Sequence, residues 1–212
     1  MTNLAFEIVG ARAEPHAAVP TIAFRLALTE TEGTPVHAVA LQCQIRIEPR
    51  RRLYDPSDEE RLYGLFGETP QWGNSLNPFL WTHVSTTIAS FSRSTEVDLA
   101  VQCSYDLEVA GAKYMHAVRD GEIPLLFLFS GSVFASGGSA FAFERVSWER
   151  ESRYRLPVSV WREVMDLYYP GGGYLRLSSE VIDRLEAFRT RRALPTWDQV
   201  LEQLLKEAGE VG

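Results

Sequence analysis

The stretch RYRLPVSVWREVMDLYY, Arg153–Tyr169, holds the boundary on which the fold turns. Before Leu156 the apolar residues recur mainly at every second position. After Pro157 they recur at helical spacing, with Val160, Trp161, Val164, Leu167 and Tyr168 sharing one face. Proline is tolerated in the first turn of a helix, and the following Pro170–Gly173 run stops one. Strands first and helices after predict an α+β fold.

Working back from Leu156, three segments alternate cleanly. In PTIAFRLALTE, Ile22, Phe24, Leu26 and Leu28 oppose Thr21, Ala23, Arg25 and Ala27. In VALQCQIRIE, Val39, Leu41, Cys43, Ile45 and Ile47 oppose Gln42, Gln44, Arg46 and Glu48. In EVDLAVQCSYDLEV, Val97, Leu99, Val101, Cys103, Tyr105, Leu107 and Val109 oppose Glu96, Asp98, Gln102, Asp106 and Glu108. Such alternation predicts antiparallel strands with one buried and one wet face. Glu32–Pro35 reads as a turn between the first two of these. Ala110–Ala112 leads into KYMHAV, and Asp120–Gly121 is the strongest short hairpin signal. IPLLFLFSGSVF loses strict alternation, as a central strand does, and Gly131 within it marks a close approach of two backbones. SAFAFERVSWERE slips near Glu144, which predicts a bulge. Roughly eight strands in a large antiparallel sheet are expected. ALQCQIRI at Ala40 and AVQCSYDL at Ala100 share Ala-x-Gln-Cys and read as two strands of like burial.

Working forward, SSEVIDRLEAFRTRR gathers Val181, Ile182, Leu185 and Phe188 on one face, with Ser178 or Ser179 as cap. PTWDQVLEQLLKEAG carries the capping box Thr196-x-x-Gln199, the face Trp197, Val200, Leu201, Leu204 and Leu205, and a closing Gly209. A shorter helix, DPSDEERLYGLFG, interrupts the strands with Ser57 as N-cap and Gly67 as its end. The chain therefore reads as one α+β domain over residues 1–212. Residues 1–151 are mainly β with a helix-plus-loop excursion near 55–80, and residues 157–209 are helical.

The composition bounds what this domain does. A net charge of −7 over 212 residues, with one basic run (Arg50–Arg52) followed by Asp55-Pro-Ser-Asp-Glu-Glu, argues against nucleic acid as a partner. The longest apolar run, IPLLFLF, is too short to span a bilayer, and MTNLAFEIVGARAEP lacks the pattern of a signal peptide, so a soluble, cytoplasmic protein is expected. Cys43 and Cys103 read as buried free thiols. His16, His37, His83 and His116 show no metal-ligand spacing, so no metal and no cofactor are expected. No nucleophile motif appears, and YYPGGGYLRL follows a helix where a phosphate loop precedes one, so it reads as an interhelix turn. Glu96, Asp98 and Asp106 read as a solvated face, and no catalytic residue is assigned.

The feature that points to a function is GLFGETPQWGNSLNPFLWTH, Gly64–His83. It sets Phe66, Trp72, Phe79 and Trp81, with Tyr63 just before, among glycines, prolines and asparagines. Exposed together, these residues are candidate partner-binding anchors on a loop. Folded back, they form a lid on the edge of the sheet, with Trp81 packed as core in either case. The first reading is a non-catalytic protein-interaction or assembly factor that binds a protein partner or a second copy of itself. The alternative is a small-molecule-binding protein or enzyme using the concave face of the sheet, with Tyr63, Trp72, His83 and Tyr105 lining a pocket.

Two resemblances bear on this. YRLPVSVWREVMDLYYPGGGYLRLSSEVIDRLEAF resembles the closing pattern of SecB-type export chaperones through Leu156, Pro157, Arg162, Glu163, Gly171–Gly173, Leu175, Leu177 and Leu185. That likeness implies a tetramer with a peptide groove. The chain departs from the pattern by its extra strands, by the Ser57–Phe66 helix and by the final helix. LPVSVWREVMDLYYPGGGYLRL, with IAFRLAL and LQCQIRIEP, also resembles an uncharacterised bacterial family associated with gene neighbourhoods of nickel-iron hydrogenases. That resemblance implies an accessory role for a hydrogenase or another multi-subunit enzyme.

Overall fold

A computed structural model describes residues 3–210, apart from 105, 107, 138, 139, 148 and 174. Contacts divide the chain into two units, Met1–Tyr174 and Leu175–Gly212.

In the first unit the alternating segments become eight strands among the described residues, every pair antiparallel. In chain order they are β1 (Leu4–Ala13), β2 (Thr21–Glu30) and β3 (Val36–Ile47), then helices α1 (Pro56–Phe66) and α2 (Trp72–Ser75). β4 (Phe79–Ile88), β5 (Ser94–Gln102), helix α3 (Ala110–Ala117), β6 (Glu122–Gly137), β7 (Ala140–Arg145), β8 (Glu151–Pro157) and helix α4 (Val158–Tyr168) follow. The strands form two sheets. One has the order β1-β2-β5; the other runs β4-β3-β6, with β7 and β8 sharing the far side of β6. The α+β expectation holds, and the eight strands are divided between two layers that pack face to face. Alternation specifies that a strand has one buried face. It does not specify which sheet the strand joins.

The core lies between the layers. Ile22, Phe24, Leu26 and Leu28 of β2 are fully buried, as are Val39, Ile45 and Ile47 of β3. Phe24 meets Phe127 of β6 edge-on at 5.1 Å and Tyr154 of β8 at 6.1 Å, and Phe6 of β1 stacks on Phe129 at 4.8 Å. On the wet side of the smaller sheet, Asp98 pairs with Arg12 at 2.9 Å and Arg25 at 2.8 Å, which accounts for the acidic row on β5. A bulge at Ile8/Gly10 of β1 would strand the Ile8 N–H. Ser152 of β8 accepts from it at 3.0 Å and so stitches the two layers at one edge.

Several local expectations are revised. The slip near Glu144 is the end of β7: β6 pairs with β7 over residues 132–137 and with β8 over 122–128, so two short strands replace one bulged strand. The switch between them occurs at Gly131, whose carbonyl accepts from Val146 N–H at 3.0 Å. Gly131 has φ +146°, and a Cβ there would lie 2.1 Å from the Ala40 carbonyl oxygen, which confirms the close approach read from the sequence. β5 stops at Gln102, and Lys113–Ala117 belong to the helix α3, so Asp120–Gly121 is a helix-to-strand turn and not a hairpin. Tyr105 and Leu107 lie outside the described residues. On α4 the buried face is Val158, Trp161, Val164 and Met165, while Leu167 is exposed. The helix is fixed against β1 and β2 at its far end, where the Tyr168 hydroxyl lies 2.7 and 3.0 Å from the carbonyls of Ala17 and Glu14. Cys43 and Cys103 are free and buried, and burial pushes both thiols up to about 12.

In the second unit, α5 (Ser179–Arg192) and α6 (Trp197–Ala208) form as the caps foretell. Ser178 Oγ accepts from Val181 N–H, Thr196 Oγ1 accepts from Gln199 N–H at 3.2 Å, and Gly209 closes α6 with φ +84°. Among the described residues, no helix is long and apolar enough to cross a membrane.

Two outcomes follow from this architecture. Gly131→Ala is expected to cost at least about 3 kcal/mol, because the new methyl meets backbone that cannot yield; urea unfolding measures it, and a cost under about 1 kcal/mol would contradict the close approach. Glu30, at the end of β2, is buried. Burial alone would raise its pKa, but the backbone N–H groups of Thr34 (2.8 Å), Glu32 (3.1 Å) and Asn3 (3.3 Å) outweigh that and hold it below the usual carboxylate range. A lowered folded pKa gives stability that is present above the unfolded value of about 4.3 and is lost as pH falls through the folded one. Glu30→Gln should therefore be less stable than wild type near neutrality, with the gap closing below about pH 4; a gap constant with pH would assign the loss to packing instead.

Candidate functional site

The excursion from the larger sheet leaves at Ile47 and returns at Phe79. Asp55 rather than Ser57 caps α1: its carboxylate accepts from Asp58 N–H at 2.8 Å, and Pro56 fills the first helical position where no N–H is needed. Gly67 ends the helix with φ +73°, as expected. The basic run is spent locally. Arg52, with its side chain 8% exposed, pairs with the buried Asp58 at 3.1 Å, and Arg61 reaches the other Asp58 oxygen at 2.7 Å. The same arginines donate to backbone carbonyls, Arg52 to Glu122 at 2.9 Å and Arg61 to Ala117 at 2.6 Å. One buried carboxylate thus ties α1 to α3 and to the start of β6.

Around this tie the aromatic side chains pack on one another. Phe66 and Trp72 are each only 7% exposed. Trp72 Nε1 donates to the Gly67 carbonyl at 3.0 Å, and its ring meets Tyr54 at 5.1 Å and Phe66 at 6.1 Å. Tyr114 of α3 lies beneath, 5.9 Å from Phe79 and 6.1 Å from Phe66, with its hydroxyl 2.7 Å from that of Tyr54. Burial raises both phenols, Tyr54 to about 12 and Tyr114 further. Trp81 is partly covered. It is the extra residue of a bulge, since Ile45 pairs with Thr82 and Arg46 with Leu80, and the bulge turns its ring onto Phe24 at 6.1 Å. A Cβ on Gly111 would come within 2.9 Å of that ring, so Gly111 is the seat on which Trp81 rests. Of the five proposed anchors, Phe66, Trp72 and Phe79 join one cluster, and Trp81 packs on the main core. Tyr63, 60% exposed, faces out beside Glu59, Glu60 and Glu68 at a shallow cleft. The stretch is a packed lid.

The pocket imagined from Tyr63, Trp72, His83 and Tyr105 does not assemble. Trp72 is buried, Tyr63 faces out from α1, His83 lies on the exposed side of β4, and Tyr105 is outside the described residues. A different open cleft of about 1090 Å³ lies on the outer face of the larger sheet, lined by Gln42, Ser85, Thr87, Ser130 and Ser132 with Arg145 at its edge. Among the described residues no three His, Cys, Asp or Glu side chains gather where they could hold a metal ion. His116 of α3 is half-buried against Trp161 at 6.4 Å; burial, then the charges of Arg119, Arg162 and Arg61, hold its pKa below the ordinary value.

The surface that the sequence did not single out is on α5 and α6. Val200 is the one fully buried side chain described in these helices. Trp197, Leu201 and Leu205, 42%, 40% and 53% exposed, form a stripe at i, i+4, i+8 along α6, and Val181 and Ile182 are exposed on α5. Arg189 stacks over Trp197 at 4.7 Å, and Arg192 pairs with Glu207 at 2.9 Å. The stripe was legible as an amphipathic pattern; the exposure was not.

The model of a family of unknown function (DUF6084) matches residues 1–212. The chain belongs to this family. No protein of curated function matches it. Among solved structures, it is similar to the CARDB domain of a Pyrococcus furiosus protein, solved with di-metal ions. That likeness has 6% identity and a TM-score of 0.29, and covers 74% of this chain and 92% of that one. A β-glucosidase from Kluyveromyces marxianus shows 10% identity and a TM-score of 0.25, covering 73% of this chain and 15% of the glucosidase. The same enzyme with glucose gives 9% identity and a TM-score of 0.24. Likeness at that level carries no argument about ligand or activity. Within the family, what a member does has to be read from its own surfaces.

The lid arrangement has a direct consequence. Trp72→Ala is expected to cost about 3–5 kcal/mol of folding stability, as for other buried aromatics. Tyr63→Ala should stay within about 0.5 kcal/mol of wild type. Urea unfolding of both variants checks this, and equal small effects would mean that the lid is not packed in solution.

Proposed function

We propose that this chain is a protein-interaction module, a non-catalytic assembly or accessory factor. The observation that carries the reading is the apolar stripe Trp197, Leu201, Leu205 on the surface of a helical unit with little buried side chain of its own. Exposed apolar side chains grouped on one face mark contact surfaces, whereas singly scattered ones are ordinary. The α1–β4 lid and the α4 contact close over the core of the first unit. The second unit supplies the adhesive surface. The likeness to a family of hydrogenase gene neighbourhoods directs the reading toward a multi-subunit enzyme such as a nickel-iron hydrogenase as the client.

A second reading rests on the cleft lined by Gln42, Ser85, Thr87, Ser130 and Ser132. Its hydroxyl and amide groups suit a small polar ligand. Arg145 is the one charged side chain in the described lining, which favours binding over acid–base chemistry.

Affinity capture of the tagged protein from its native cell tests the first reading. The wild type should recover a stoichiometric protein partner, and Leu201→Glu with Leu205→Glu should lose it by at least tenfold, roughly the effect of truncating one or two interface anchors. Both positions are exposed, so far-UV circular dichroism should be unchanged. A partner retained in full by the double variant would sink the assignment to this face.

A further inference from the structure

The α5–α6 unit carries two surfaces that complement one another. The first is a groove of about 540 Å³ along α5, with Val181, Leu185, Phe188 and the Leu204 side chain as apolar walls and Arg184 and Arg191 among its lining. The two arginines are seven residues apart, so they lie on one side of the helix about 10 Å from each other. The second is the α6 stripe of Trp197, Leu201 and Leu205. One residue after each of these come Asp198, Glu202 and Lys206, at i, i+4 and i+8, so one flank of the stripe carries two carboxylates over its first two turns and an ammonium at its end, while Arg189 stacks over Trp197. An apolar groove with two arginines in its lining and an apolar ridge with two carboxylates along its first two turns are on the same chain. The ridge is exposed in its own chain: α6 turns Leu204 toward α5 and buries Val200, while Trp197, Leu201 and Leu205 stay exposed.

We propose that the α5–α6 unit is a self-association surface, in which the α6 ridge of one copy seats in the α5 groove of a second copy and the reverse. A two-fold axis makes the contact isologous: each chain gives one ridge and one groove, both grooves are filled, and no surface is left to propagate a chain of copies. The apolar side chains supply the affinity. The pairing of Asp198 and Glu202 with Arg184 and Arg191 of the second copy fixes the register and rejects a shifted or parallel docking. A chain with net charge −7 repels its own copy overall, so a contact that brings cations of one copy to anions of the other opposes that repulsion where it matters. This inference rests on the interaction reading above and names the partner for the same face.

The test uses the purified full-length chain in sedimentation velocity across about 1–100 µM, a range that brackets micromolar association. The wild type is expected to sediment as a dimer in the upper part of that range. Arg184→Glu with Arg191→Glu should weaken dimerisation at least about tenfold, and so should Asp198→Arg with Glu202→Arg, since each sets like charges against one another. An equimolar mixture of the two double variants should restore the dimer. In the mixed pair a reversed groove meets a normal ridge's opposite, and a normal groove meets the unchanged acidic ridge. Restoration also shows that both variants are folded. A monomeric wild type throughout the range overturns the inference, as does a dimer indifferent to both charge reversals, or a mixture that fails to associate. A monomeric wild type that still captures a client through Leu201 and Leu205 would leave the interaction reading standing. A wild-type dimer that captures nothing would do the opposite.

Discussion

Everything in the first unit depends on the apolar contact between the inner faces of its two sheets. Phe24 sits at the middle of that contact, edge-on to Phe127 and flanked by Tyr154 and Trp81. Burial of large aromatic and aliphatic side chains is the dominant favourable term in folding, and the two layers have no other comparable source of it. The contact also dictates secondary features. β6 must present Phe127 and Phe129 inward over its whole length while its outer edge changes partner from β8 to β7. That change requires a residue able to adopt φ +146° with no Cβ, so Gly131 follows from the geometry of the sandwich.

The two most deeply buried carboxylates are each held by several donors. Asp58 is buried, yet two arginines and a capped helix end surround it, and each arginine also donates to one carbonyl, Arg61 to Ala117 of α3 and Arg52 to Glu122 of β6. Glu30 is buried beside three backbone N–H groups at a turn between the sheets. Buried ion pairs add little net stability over apolar packing, but losing one partner is costly, so such groups fix one arrangement against its competitors. Here the arrangement fixed is the docking of the α1–β4 excursion, which brings Phe66, Trp72, Phe79, Tyr54 and Tyr114 into contact. A stretch with the composition of an exposed recognition loop is thereby made into core.

The second unit follows the opposite rule. Its helices are capped and amphipathic, so local signals suffice to define them. Their apolar stripe is on the outside.

By itself the sequence determined the period of most segments, and with it β2, β3, the start of β5, α1, α4, α5 and α6, the buried faces of β2 and β3, the free buried thiols and the special role of Gly131; it carried β5 past Gln102 and missed α3. These are local properties, because side-chain period and turn chemistry act over a few residues. It did not determine the division of eight strands between two sheets, since alternation is identical whichever sheet a strand joins. Nor did it determine the split of β7 from β8, which arises where β6 changes partner. The face of α4 is another such case: Met165 replaced Leu167 on the buried side because contact with β1 and β2, not the helix pattern alone, selected the stripe. Nor did it decide between the exposed-loop and buried-lid readings of Trp72, or which residues of the apolar face of α6, Leu201 among them, are covered. Tryptophan in a glycine-rich loop and leucine on a patterned helix are each compatible with core or surface. Only the positions of Asp58, Tyr114 and the returning strand β4 decided that the first is enclosed, and only the packing of α6, which buries Val200 and turns Leu204 toward α5, left the second exposed.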